Sequence, residues 1–203
     1  MRSRRMLITG SVGLAGLTLA SACICSLPTY FFVLPPRAKG MVNNLVLPGT
    51  ETTDLHALDP AFRRNVESIL SELEDRGFHP RIAASYRSPE RQRTYYLLGR
   101  IERSLGLSAV TQVTRSCHNH RAQGNPAALA IDIWGGRPGA ASEEHAVFFR
   151  ALRDAAQARG LVSGAAWSQS NAAWKRYGIG WDPAHVEAPG CMARVKQMTS
   201  NDE

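Results

Sequence analysis

The apolar positions along the chain change period several times, and each change predicts an element. Between residues 59 and 77, Phe62, Val66, Ile69, Leu70 and Leu73 recur at helical spacing and share one helix face. Asp59 stands at the cap of this helix, Pro60 at its first position and Gly77 at its end. "HPRIAASY" (79–86) then reads as a short strand. "SPERQRTYYLLGRIERSLG" (88–106) predicts a second helix, with Ser88 as cap and a stripe of Tyr95, Leu98, Ile101 and Leu105. Residues 107–127 are loop-like. "ALAIDIW" (128–134) returns to strand character and is broken by Gly135, Gly136, Pro138 and Gly139. "SEEHAVFFRALRDAAQARG" (142–160) predicts a third helix, capped by Ser142, with acids in its first turn and Gly160 at its end. Towards the end, "GIGWDPAHVEAP" (178–189) reads as a final strand. Helices and strands interleave without a regular βαβ rhythm, so the predicted fold class is α+β.

The first 34 residues do not belong to this pattern. Arg2, Arg4 and Arg5 are followed by an uninterrupted uncharged stretch from Met6 to Leu34, which predicts an export signal or a membrane anchor. "SRRMLI" resembles a twin-arginine signal, and Ala20–Ser21–Ala22 fits a cleavage site before Cys23. The apolar run is also long enough to remain as an anchor, and a lipid-carrying Cys23 is a third option. In each case the remainder is expected outside the cytoplasm, at the periplasmic or extracytoplasmic face of the membrane. Residues 35–54 read as a linker, 55–190 as the domain and 191–203 as a C-terminal tail. The formal charge of +7 is concentrated at the front: five of the 24 basic residues and no acid precede residue 40. The rest of the chain is nearly balanced, which argues against a nucleic-acid partner.

One carboxylate is out of place. Alternation along a strand puts Leu129, Ile131 and Ile133 on one face and Ala128, Ala130 and Asp132 on the other. An ionised acid in a half-buried strand needs a partner. On the strand alone, an Arg or backbone N–H groups are the simpler account; a metal ion is the alternative. Histidines elsewhere change the balance. His118 lies in the loop before the strand. "DPAHVE" supplies His185, with Asp182 three residues earlier and Glu187 two later. If that segment is extended, Glu187 points the same way as His185 and can accept the imidazole's other N–H. Two histidines and an acid match the ligand types of a catalytic zinc centre.

These residues resemble a known family, the zinc D-Ala-D-Ala carboxypeptidases and L-alanyl-D-glutamate endopeptidases. It includes vancomycin-resistance D,D-peptidases and several phage endolysins. Four motifs occur in the family's order: "SYRSPERQ" with Arg87 and Gln92, "SCH" with Ser116 and His118, "ALAID" with Asp132, and "DPAH" with Asp182 and His185. "GLVSGAAW", with Trp167, resembles the segment before the last motif. The resemblance implies a small, mostly antiparallel sheet with helices packed on it and a zinc cleft on the sheet. It implies one Zn2+ per chain, held by His118, Asp132 and His185, and peptidoglycan stem peptides as substrate. Zinc lowers the pKa of a bound water to about 7. Asp182 is then the proton acceptor. Arg87 polarises the scissile carbonyl or binds a substrate carboxylate, and Gln92 and Ser116 are substrate-binding candidates. The alternative for Arg87 is a helix-start ion pair with Glu90. The short "DPAH" form looks more like the endopeptidase branch.

The chain departs from the family in one place. Thirteen residues separate His118 from Asp132, where the family has six, and Ala128 stands where a Gly is usual. An inserted "RAQGNPA" accounts for this and leaves His120 as a second candidate for the first ligand. Cys117 neighbours one expected ligand and Cys191 follows another. If both ligands meet one metal, the two cysteines share a neighbourhood, and a disulfide bracing the site is expected; two unrelated thiols are the alternative. A wall-binding domain that keeps the fold without turnover is the competing function.

Overall fold

The computed structural model describes residues 47–104, 111, 113–136, 141–169 and 172–199, all within the second of two units into which the chain divides, residues 46–203. The expected export segment, Cys23, Cys25 and Leu105 lie outside the described residues, as does the side chain of Ile101. Among the described residues, no helix is long and apolar enough to cross a membrane.

Local sequence sets the three main helices. The first, α1, spans Pro60–Asp75; the Asp59 carboxylate accepts hydrogen bonds from the N–H groups of Ala61 and Phe62 at 2.9 and 3.1 Å. This satisfies donors that a helix start otherwise leaves unpaired. Phe62, Val66, Ile69 and Leu73 form its buried stripe. Strand β1 is Pro80–Ala84, and α2 is Pro89–Ser104. Two short strands follow, β2 (Arg121–Ala122) and β3 (Asn125–Pro126), then the longer β4, Ala130–Gly135. Helix α3, Glu143–Ala158, starts at a Ser142 cap and buries Phe148, Phe149 and Leu152. β5 (Val162–Ser163), α4 (Ala172–Lys175), β6 (His185–Glu187) and α5 (Cys191–Thr199) complete the order.

The main sheet is antiparallel with strand order β1-β4-β6-β5. The α+β class predicted from the sequence is therefore the observed one. α1 and α3 pack against each other, and α3 also covers β4 and β5. Ile131 and Ile133 are fully buried in the same core as Val66, Ile69, Phe149 and Leu152. On the other side of the β4 pleat, Asp132 lies opposite His185 on β6 and opposite Ala84 on β1. Sheet register alone thus sets the central acid beside one histidine.

Several segments differ from the sequence reading. The inserted loop is an exposed two-stranded ribbon, β2–β3, whose turn residues Gln123 and Gly124 have φ of 50° and 80°. Two left-handed residues in a two-residue turn match the twist of a hairpin. The expected final strand is reduced to His185–Glu187, because Gly180 and Trp181 donate instead to the carbonyls of Ala165 and Gln169 at 2.9 Å each. Part of the expected linker runs along β1's end: Thr52 N–H donates to Tyr86 O at 3.0 Å and Ser85 N–H to Thr52 O at 2.7 Å. In the expected tail, α5 buries Cys191 and Val195.

Cys117 and Cys191 form a disulfide, with their Cα atoms 5.7 Å apart. It closes a loop of 74 residues in sequence separation. Cross-linking a loop of this size restricts the unfolded chain and stabilises by about 2–4 kcal/mol. Replacing both cysteines by serine is expected to lower stability by about that amount, read as a shift of the denaturation midpoint.

Candidate metal centre

His118 is held by its backbone before its ring is used. It sits in a single 3-10 turn, Cys117–Asn119. Ser116 Oγ accepts the His118 N–H at 3.3 Å, and Asn119 Oδ1 accepts the Ser116 N–H at 2.6 Å, a reciprocal cap. Asn119 Nδ2 donates to Arg87 O at 2.7 Å, and Arg87 N–H donates to His118 O at 3.1 Å. The turn is thereby fastened to the chain leaving β1. The disulfide ties the same turn to α5, just beyond β6.

The His118 ring is 2% exposed in side-chain terms, and its Nδ1–H donates to Ser85 O at 2.7 Å. In the neutral tautomer this leaves Nε2 as the lone pair, and it lies 3.3 Å from Asp132 Oδ1. His185 repeats the arrangement with its nitrogens exchanged: Nε2 is 3.1 Å from Glu187 Oε2, and Nδ1 is 3.1 Å from the same Asp132 Oδ1. With the outer nitrogens donating, three acceptor atoms converge, all within 4.8 Å of one another. Lone pairs gathered at this distance repel unless a cation or a proton lies among them. Tetrahedral ligands at zinc distances of 2.0–2.1 Å are about 3.3 Å apart, close to the separations from Asp132 to each imidazole. The donor set and its spacing fit a divalent transition metal. His120 is elsewhere: its Nδ1 pairs with Ala127 O at 2.6 Å, at the base of the hairpin. Cys117, Cys191 and Glu187 also lie together, but both sulfurs are in the disulfide.

Charges respond accordingly. Burial pushes the Asp132 carboxyl up, but the two imidazoles outweigh it and hold the acid well below the usual carboxylate range. Burial pushes the His185 imidazole down, yet hydrogen bonds to Asp132 and Glu187 carry it up to about 10. Without a metal, His185 therefore retains a proton between two acids. Asp182 is raised, by burial first and by the Asp132 charge, against the pull of His185, His118 and Arg87. Its loop is set by two close approaches. A methyl group on Gly164 would collide with Asp182 O, and one on Gly180 would collide with Gly164 O. Trp167 flanks the site, with its ring centroid 5.5 Å from His185 and 5.6 Å from Trp181.

Arg87 stands on the far side of Asp132, Nη2 to Oδ2 4.0 Å. Its ion-pair partner is Glu51, at 2.6 Å from Nε, rather than Glu90. Gln92 is fully buried; its Oε1 accepts from Arg87 Nη1 at 3.0 Å, and its Nε2 donates to Thr111 Oγ1 and Val113 O. Its amide is therefore spent inside the protein, supporting Arg87 rather than facing a substrate. Glu51 and Tyr95 are site residues that the sequence reading missed, and no local pattern marks Glu51.

No family model matches the chain, and no curated protein matches it. Among solved structures it is similar to the L-Ala D-Glu endopeptidase ChiX of Serratia marcescens, with a TM-score of 0.44 and 18% identity over 69% of this chain and 86% of that one. It is also similar to a variant of the vancomycin-resistance D,D-pentapeptidase VanY from a VanB-type cassette, in complex with Zn(II), with a TM-score of 0.44 and 18% identity over 68% and 76% of the two chains. A third likeness is to the LdcB LD-carboxypeptidase, with a TM-score of 0.43 and 16% identity over 71% and 64%. Likenesses this distant carry no weight in assigning chemistry.

Two outcomes are expected from this geometry. The His185 imidazole lies above its ordinary 6.5, so in the metal-free chain its stabilising contribution is full below that pH and is lost as pH rises through about 10. A metal at Nδ1 displaces that proton, so zinc binding at pH 7–8 should release about one proton and tighten with pH; calorimetry in buffers of different ionisation enthalpy measures this. Gly164→Ala should push the Asp182 loop aside and destabilise the fold by about 1–3 kcal/mol, read from its denaturation midpoint.

Proposed function

We propose that this chain is a zinc peptidase that hydrolyses peptide bonds in peptidoglycan stem peptides, outside the cytoplasm. The observation that carries this reading is the convergence of His118 Nε2, Asp132 Oδ1 and His185 Nδ1 with both outer imidazole nitrogens already donating. The order of the four motifs around those ligands supplies the substrate class.

His118, Asp132 and His185 would hold the ion, and three protein ligands leave a position open. Zinc bound there supplies a Lewis acid that brings a water's pKa near neutrality. Ser85 O and Glu187 fix the two rings, so the ligands are oriented before the ion arrives. Asp182 is the general base. A carboxyl raised by burial takes a proton from the attacking water and returns it to the leaving amine. Arg87 Nη2 is the donor available for the carbonyl oxygen as charge grows on it. Ser116 is committed to capping the turn that carries His118, and Gln92 to holding Arg87. The hairpin β2–β3 extends outward and leaves the ligand set intact, so the longer loop gives no support to a non-catalytic wall-binding domain.

Zinc analysis together with release of new amino groups from purified peptidoglycan tests the reading. One zinc per chain with release supports it; one zinc with no release from any wall preparation favours the wall-binding alternative. Asp182→Ala is expected to keep its zinc and lose cleavage by about 100-fold or more, the usual range for removal of a general base.

A further inference from the structure

Glu51 is an acid with no part in the chemistry so far, yet it is bound more closely to Arg87 than any other group is. Its Oε1 accepts from Arg87 Nε at 2.6 Å, and its Oε2 accepts from Tyr95 Oη at 2.6 Å. The Tyr95 ring lies under the guanidinium, 4.9 Å from centroid to Cζ. Gln92 takes Nη1 at 3.0 Å from the other side. The Arg87 side chain is only 11% exposed and that of Glu51 24%. The two residues also form an isolated antiparallel bridge through their backbones. Nη2 is left, 4.0 Å from Asp132 Oδ2, too far for a hydrogen bond, and it makes none with any other described residue.

A guanidinium grips a carboxylate through two parallel N–H groups on one edge. The edge formed by Nε and Nη2 has its Nε on Glu51. The edge formed by Nη1 and Nη2 has its Nη1 on Gln92. Neither offers an unengaged pair of nitrogens, and the charge of Arg87 is already balanced by Glu51. What remains unengaged beside the candidate metal centre is the Nη2 amino group, a single nitrogen that suits a neutral carbonyl oxygen that becomes negative during reaction. We propose that Glu51 is a positioning residue for Arg87, and that its clamp with Tyr95 and Gln92 commits Arg87 to the carbonyl of an internal peptide bond rather than to a terminal carboxylate of the substrate. This rests on the peptidase reading above.

The test uses the zinc-loaded protein and stem peptides prepared in two forms, with a free C-terminal carboxylate and with that terminus amidated. Wild type should process both forms within about threefold in kcat/KM, since Arg87 has no carboxylate to lose. Glu51→Ala should lower kcat by about 100-fold, the cost of a donor displaced by an ångström, with KM nearly unchanged. Glu51→Gln, which keeps an acceptor, should recover part of that loss. Independently of activity, the Arg87 Nε–H should give a protected resonance in the nitrogen-15 spectrum of wild type that is lost in Glu51→Ala. A tenfold or larger rise in KM on amidation, a Glu51→Ala variant with unchanged kcat, or an unprotected Arg87 Nε–H in wild type would each overturn the proposal. Zinc-loaded wild type that keeps the protected resonance but cuts neither form would instead overturn the peptidase reading, and the positioning role with it.

Discussion

Two imidazoles and a carboxylate oxygen point their lone pairs at one another, with 3.1 and 3.3 Å from the oxygen to each ring, and the surrounding chain is arranged to keep them there. Such a cluster is stable only with positive charge at its centre. In the metal-free protein that charge is a proton on His185, whose affinity for it is raised to about 10 despite burial. The register of the sheet puts Asp132 opposite His185. The capped turn at Ser116 and the carbonyl of Ser85 aim His118 at the same oxygen. The disulfide joins the His118 turn to the helix that follows β6, so two ligands far apart in sequence are tied within one neighbourhood.

The parts of this arrangement that were legible in the sequence are those that local rules determine. Asp59 with Pro60 and Ser142 with two acids announced α1 and α3, because caps act within one turn. The alternation of 128–134 separated Asp132 from Ile131 and Ile133, because a strand has period two. His185 and Glu187 shared a face for the same reason. Glu51 was not legible. It lies 36 residues before Arg87, in a stretch punctuated by Pro and Gly, and meets it only because residues 50–52 run beside Ser85–Ser88. The shortness of β6 was also hidden: backbone donors at Gly180 and Trp181 are claimed by the 165–169 segment, a tertiary competition with no local signature. Gln92 was marked only by the family resemblance, and only its burial separates a support of Arg87 from a substrate ligand.

Charge explains why these separate devices belong together. Glu51, Asp132, Asp182 and Glu187 gather around the site, and Arg87 is the guanidinium held among them. Asp182 is raised, first by burial and then by the Asp132 charge. Each of the others has a partner close by: Glu51 has Arg87, Glu187 has the Nε2–H of His185, and Asp132 has His185 Nδ1 at 3.1 Å. Asp182 has no hydrogen bond to a cation among the described residues, and burial keeps it poised to hold a proton. A dication at the lone-pair cluster would take over the role of the His185 proton and draw Asp182 downward, towards the ionised form a base needs. On the proposed mechanism, Asp182 is the carboxylate that stands among these acids without a hydrogen-bonded cation among the described residues.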